Sequence, residues 1–344
     1  MMDLIPDLTQ PAGWLPLAFA AVMALAMLVY VVLDGFDLGV GVLLRGADDT
    51  AQKDTMIASI GPFWDANETW LVLGVGVLLV AFPLANGVIM GHLYLPVALM
   101  LMALIVRGVA FDFRVKAHVG YKHLWDRAFF GGSLLAAWSQ GFMLGGLITG
   151  FQTDLWSHLF SAMIGLCLVA AYCLLGAGWL IMKTEGALQL KAVRWARGSL
   201  WLTAVGIAAI SVVTPWVSTR IFDKWFGFPN LVMLLPIPAM TLVLFVLIER
   251  SLRRLPTRLA QQNQYGIGVP FAGTIGVMLL SFYGLAYSLF PWLVIDRITI
   301  WQSASSPEAL MVIFYGVAVV LPVIIGYTVF AYRVFWGKST ALVY

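Results

Sequence analysis

Two pairs of acids stand where apolar sequence ends or begins. Asp34 and Asp37 lie three residues apart in DGFDLGVGVLL, and Asp65 and Glu68 repeat that spacing in GPFWDANETW. Residues three apart share a helix face. After the second pair comes LVLGVGVLLVAF, residues 71–82, without a single charge. Acids at membrane depth are expensive and mark an ion or proton path. Arg107, in ALIVRGVAFDFRVK, is a candidate partner, with Asp112 five residues on. It can neutralise a buried acid, or keep its stem in hydrocarbon and its head at the surface.

Elements that span a lipid bilayer must position these groups. Of 344 residues, 61% are hydrophobic and 11% charged, and the mean hydropathy is +0.92. A soluble domain carries about 25% charged residues. The composition predicts an all-α, polytopic membrane protein over residues 1–344, a single integral domain without a soluble one. Runs of about 20 apolar residues give nine expected spans: 14–44, 56–82, 88–110, 128–149, 157–182, 198–218, 230–249, 267–292 and 308–332. The acidic N-terminus, MMDLIPDLTQ, lacks the basic region of a cleaved signal peptide, so the first span is expected to be retained. Cys167 and Cys173 fall inside an apolar run and are expected to be reduced.

Lysine and arginine near span ends set orientation. With nine spans, Arg45, Lys53, Arg107, Arg114, Lys116, Lys122, Arg127, Lys183, Lys191, Arg194, Arg197, Arg250, Arg253, Arg254, Arg258, Arg333 and Lys338 fall on one side. Only Arg220, Lys224 and Arg297 fall on the other. The basic side is the cytoplasm, which places the N-terminus in the periplasm and the C-terminus inside. The basic excess is thus a topology signal, and nothing else supports nucleic-acid binding. Most buried-looking charge lies in the first half, which suggests two helical bundles with different jobs.

Each motif has a plainer reading. Gly35 and Gly39, four apart, let another helix approach closely, but Asp34-Gly35 could also end a helix in a turn. Pro62 suits the first turn of a helix that Ser59 or Gly61 caps, and an acid there favours the helix dipole. Capping needs one acid at most, whereas Trp64, Asp65, Asn67, Glu68 and Trp70 crowd together. Asn67 and the two indoles offer donors that can hold charge or water.

Of four histidines, His118 and His123 lie in a cytoplasmic loop, and His92 and His158 near external span ends. No pair falls mid-span on facing helices, as a membrane haem normally requires. Metal-binding and nucleophile motifs are absent from the sequence. The chain reads as a scaffold with a polar conduit.

LDGFDLGVGVLL, IGPFWDANETWLVLGVGVLLVAFP and LIVRGVAFDFRVK resemble the signature regions of subunit 2 of cytochrome bd-type quinol oxidases. NETWLVLG is closest to the cyanide-insensitive branch, and YSLFPWLV and VAVVLPVIIGYTVFAYRVFWG also fit. The resemblance implies a nine-helix subunit of two bundles plus a peripheral helix in the bacterial inner membrane. It implies a haem-bearing partner, subunit 1, that holds b haems and a d haem (or b in its place). Quinol and dioxygen are the substrates of such a complex. Some members add a small single-span subunit or hold a quinone in subunit 2. By motif match, Asp65 is similar to the family's proton-path acid near subunit 1. Asp34 and Asp37 match its companions at the cytoplasmic end, and Arg107 matches a basic residue of the same region. Glu68 and Asp112 join the expected path. Trp64 and Trp70 match aromatics beside it, near an oxygen route in some members. With Gly35, Gly39 and Asn67 they are expected at the contact with subunit 1. Two other classes compete: a proton-coupled secondary transporter, and a purely structural membrane partner whose acids cap helices. A transporter would show inverted repeats, whereas here the acids concentrate in one half.

Overall fold

The computed structural model describes residues 5–339. Among the described residues, thirteen α-helices carry the fold. The first five are α1 (Pro11–Leu43), α2 (Thr50–Ile60), α3 (Trp64–Ala81), α4 (Pro83–Lys116) and α5 (Lys122–Ile148). Then come α6 (Leu155–Lys183), α7 (Gly186–Val217), α8 (Thr219–Phe226), α9 (Asn230–Leu234), α10 (Pro236–Ala260) and α11 (Val269–Leu289). A small antiparallel hairpin, β1 (Trp292–Val294) and β2 (Ile298–Thr299), leads into α12 (Ile300–Ser303) and α13 (Pro307–Val334).

Local chemistry sets the boundaries. Proline occupies the first turn of α1, α4, α10, α11 and α13, where its missing N–H has no helical partner to lose. Asp49 caps α2 by accepting from the Gln52 N–H, and Asp154 caps α6 by accepting from that of Ser157. The Ser157 hydroxyl also donates to Asp154, at 2.6 Å, and the two bonds hold the exposed Asp154 carboxyl below the usual carboxylate range. The expected span 56–82 is two helices. Gly61 and Pro62 interrupt it, because proline restricts the residue before it and cannot continue the hydrogen-bond ladder. Neither Ser59 nor Gly61 caps α3: the Ser59 hydroxyl donates to the Met56 carbonyl, and Phe63 precedes the helix without a side-chain cap.

Eight segments among the described residues are long and apolar enough to cross a membrane. The ninth expected span, 128–149, is helical as part of α5 but falls short in apolarity. Its first turns carry Lys122, His123, Asp126 and Arg127, and glycines, serines and Gln140 dilute the remainder. A helix packed against other helices, as α5 is against α4 and α6, can use such small residues for close contact.

Helix α1 is central. It packs against α3, α5, α6 and α13. One apolar core runs from Phe36 and Val40 of α1 through Tyr172 and Trp179 of α6 to Ile248 of α10 and Val277 of α11. The two halves of the chain therefore share a core. Helix α13 is peripheral: Leu310 is its only buried residue among those described.

Candidate functional site

The site is assembled where α1, α3 and α4 meet. Asp34 and Asp37 of α1 and Arg107 of α4 are each fully buried. Arg107 Nη1 donates to Asp34 Oδ1 at 3.0 Å and to Glu68 Oε1 of α3 at 2.8 Å. Its guanidinium also faces the rings of Trp64 and Phe129, with centroids at 5.8 and 6.0 Å. Of the two readings open to Arg107, the structure selects neutralisation of buried acid.

Asp37 has no ion pair among the described residues. Asn67 Nδ2 donates to its Oδ2 at 2.7 Å, and Asn67 Oδ1 accepts from the Tyr332 hydroxyl of α13 at 3.1 Å. The one guanidinium thus bonds two of the three carboxyl groups, and an amide holds the third. Above the acids, Gln140 of α5 links Tyr30 and Tyr172, donating to the Tyr30 hydroxyl and accepting from that of Tyr172, both at 2.7 Å. Asp34 Oδ2, Asp37 Oδ1, Arg107 Nε and Nη2, and the hydroxyls of Ser133 and Ser139 are buried without a protein hydrogen-bond partner. Buried polar groups are normally satisfied, so four open atoms on Asp34, Asp37 and Arg107 together are unusual.

Glycines bring the walls together. A Cβ on Gly39 would sit 1.8 Å from the Tyr172 carbonyl oxygen, and one on Gly176 would sit 2.5 Å from the Val40 nitrogen. The Gly35–Gly39 pattern therefore serves contact of α1 with α6, inside this chain. That corrects the expectation that these glycines face a partner.

The remaining site residues separate by helix face. Trp70 is 2% exposed and packs with Ala26 and Tyr30. Asn67 is 1% exposed. Both lie inside the chain rather than on an outward surface. Trp64 is half-buried, 5.1 Å from Phe111. Asp65 and Asp112 are exposed and make no ion pair among the described residues. Glu68 bridges the zones, with its side chain 26% exposed.

A second polar cluster lies at the same end of the bundle. Arg114, 2% exposed, donates to Asp54 at 2.6 Å and to Asp126 at 2.5 Å. Lys53 joins through Asp126 at 2.9 Å. Sequence reasoning counted Arg114 only as a topology charge, although it lies seven residues, two helical turns, beyond Arg107 on one face. Gln140 also had a signal, an amide within apolar sequence. Tyr332 had none.

The sequence matches the family model described as cytochrome bd terminal oxidase subunit II over residues 15–335. The chain belongs to that family. Cytochrome bd ubiquinol oxidase subunit 2 of Bacillus subtilis (strain 168) is 26% identical over 88% of this chain and 90% of the relative. Cytochrome bd-I ubiquinol oxidase subunit 2 of Escherichia coli (strain K12) is 27% identical over 90% and 91%. The fold is shared with a chain of the bd oxidase from Geobacillus thermodenitrificans, with a TM-score of 0.71 and 19% identity, covering 93% of this chain and 98% of that one. A cytochrome bd subunit II is a multi-pass protein of the bacterial inner membrane and a subunit of a quinol oxidase complex. The family implies haem in that complex and a subunit 1 partner. All four histidines of this chain are exposed, and the Nδ1 atoms of His92, His123 and His158 each lie 2.8 Å from a backbone carbonyl of their own segment.

Proposed function

We propose that this chain conducts protons from the cytoplasm toward the oxygen-reducing centre of subunit 1. The observation that carries this reading is the buried cluster of Arg107, Asp34, Asp37 and Glu68. One cation balances one carboxylate. Two further carboxyl groups in a low-dielectric interior leave the cluster able to accept a proton, since uncompensated buried charge is costly. The open polar atoms of Asp34, Asp37 and Arg107 are donor and acceptor positions suited to water. Carboxylates and water together form a relay, whereas a helix cap needs neither full burial nor an arginine.

The path runs outward from the buried interior to the exposed edge. Asp34 and Asp37 form its interior, Arg107 and Glu68 connect them to that edge, and Asp65 and Asp112 serve its exit toward subunit 1. This reverses the ranking that the motifs suggest, in which Asp65 is central. Asp65 shares its outward stripe on α3 with exposed Val72 and Leu79, and Asp112 lies beside exposed Val109 and Phe113 on α4. This face of α3 and α4, with half-buried Trp64, is the proposed contact with subunit 1.

Helix α5 is proposed as the ninth span. Its 27 residues reach about 40 Å at 1.5 Å per residue, enough to cross about 30 Å of hydrocarbon. With nine spans, the basic side is cytoplasmic and the N-terminus periplasmic. The haems, b-type with d or a further b, are proposed to lie in subunit 1. A small single-span subunit and a quinone beside this chain complete the family pattern, with quinol and dioxygen as substrates and lipid as solvent.

Replacing Asp34 or Asp37 with Asn preserves size and removes proton exchange. Oxygen uptake by the purified complex, with haem spectra on the same sample, tests the proposal. The expected result is full haem content with turnover about a hundredfold lower, the lower end of what a positioned proton-transfer group contributes. Turnover equal to wild type in both variants overturns it.

A further inference from the structure

Helix α10 ends in a row of arginines that the proton path does not use. Arg250, Arg254 and Arg258 are spaced by four residues and share one face. They line a groove of about 660 Å³ between α10 and the start of α11. The opposite wall is Tyr265, Gly266, Gly268 and Val269, and the floor is Leu247 and Ala272. No acidic residue among the described ones lines it.

Three observations converge. Arg250 and Arg254 make no ion pair among the described residues. Arg258 is held in place, donating to the Tyr265 carbonyl at 3.2 Å with its guanidinium 5.4 Å from that ring centroid. The N-terminus of α11, a helix of 21 residues with no acid in its first turn, opens on the same groove. Its dipole adds positive potential there. Sorting of charge across a membrane explains why arginines occur at this end. It does not explain their grouping on one face. Arg253, on a different face, is engaged by Glu249 at 2.7 Å, and Glu249 also takes Arg197 at 2.9 Å.

Polarity changes along the groove in the order a lipid needs. The guanidiniums lie toward the helix ends, and Leu247, Val269 and Ala272 continue along the apolar bodies of α10 and α11. Both helices belong to segments apolar enough to span a membrane, so the groove opens where headgroups lie. We propose that it seats the phosphate of an anionic glycerophospholipid, with an acyl chain running down its apolar floor. Bidentate guanidinium–phosphate bonds suit this geometry, and basic pockets between spans at the cytoplasmic surface are a recurrent lipid site.

The test uses the detergent-purified oxidase complex titrated with phosphatidylglycerol or phosphatidylcholine, with bound lipid counted by native mass spectrometry. Wild type should retain phosphatidylglycerol in preference to phosphatidylcholine. Arg250→Gln and Arg254→Gln should each lower that preference about fivefold, the effect of one cation near an anionic headgroup. Arg253→Gln, outside the groove, should leave it unchanged. An excess of inorganic phosphate should not displace the lipid. Equal retention of both lipids by wild type, or an Arg253→Gln loss matching that of Arg254→Gln, overturns the site. Displacement by phosphate alone overturns the lipid assignment in favour of a free anion.

Discussion

Arg107→Met removes the guanidinium and keeps an unbranched apolar stem of similar reach. The variant loses the bonds to Asp34 at 3.0 Å and to Glu68 at 2.8 Å. Glu68 can turn to the exposed edge, but Asp34 is fully buried and pairs with no other cation among the described residues. Breaking a buried ion pair by deleting one partner costs about 3–5 kcal/mol. At about 2–4 °C per kcal/mol for a chain of moderate size, the melting temperature should fall by about 10 °C. Arg107→Met/Asp34→Asn removes the stranded charge as well and should recover part of the loss, because replacing both members of a buried pair is far less costly than removing one. Thermal melting of the purified complex, followed by tryptophan fluorescence, measures both. A single variant that melts with wild type, or a double variant that melts below the single one, refutes the electrostatic account of the cluster.

His92→Ala and His158→Ala should each leave the haem content of the complex intact by optical spectroscopy; selective loss of one haem signal in an assembled complex would show that this chain supplies a ligand. Reporter fusions after Ala260 and Gly227 should report cytoplasm and exterior respectively, and the opposite pattern would sink the orientation. Gly39→Ala places a methyl 1.8 Å from the Tyr172 carbonyl oxygen, so α1 and α6 must separate at a cost of about 1–3 kcal/mol. Gly87→Ala, where a Cβ meets nothing within 4 Å, should assemble and melt at least as well as wild type.

The acids were legible because an i, i+3 repeat beside uncharged sequence has few innocent explanations. Gly35 and Gly39 were legible as a close-approach pattern, although their neighbour, α6, was not. The ranking of the acids was not legible. Asp65 and Asn67 are two residues apart, about 200° around a helix, so they cannot share an environment. Sequence crowding made Trp64, Asp65, Asn67, Glu68 and Trp70 look like one group. The structure turns Asn67 and Trp70 toward α1, leaves Asp65 outside and sets Glu68 between them. Which face of α3 meets α1 depends on tertiary packing, and single-helix periodicity carries no record of it. The break at Gly61 and Pro62 was visible in the residues but hidden by the apolar run around it. Helix α5 shows the reverse problem: a helix packed by glycine and serine loses the hydropathy that identifies a span. Tyr332 reaches the site from a helix 265 residues along the chain from Asn67, and no local pattern announces that contact.

Proton conduction through Asp34 and Asp37 is tested most directly by proton uptake itself. The complex is reconstituted in vesicles, fully reduced and mixed with dioxygen, and a pH dye reports uptake on the side that carries Arg114 and Lys53. Asp34→Asn should bind dioxygen and hold haem as wild type does, while proton uptake slows by about a hundredfold or more, the scale of a lost proton-transfer group. Uptake at the wild-type rate on that side would contradict the account.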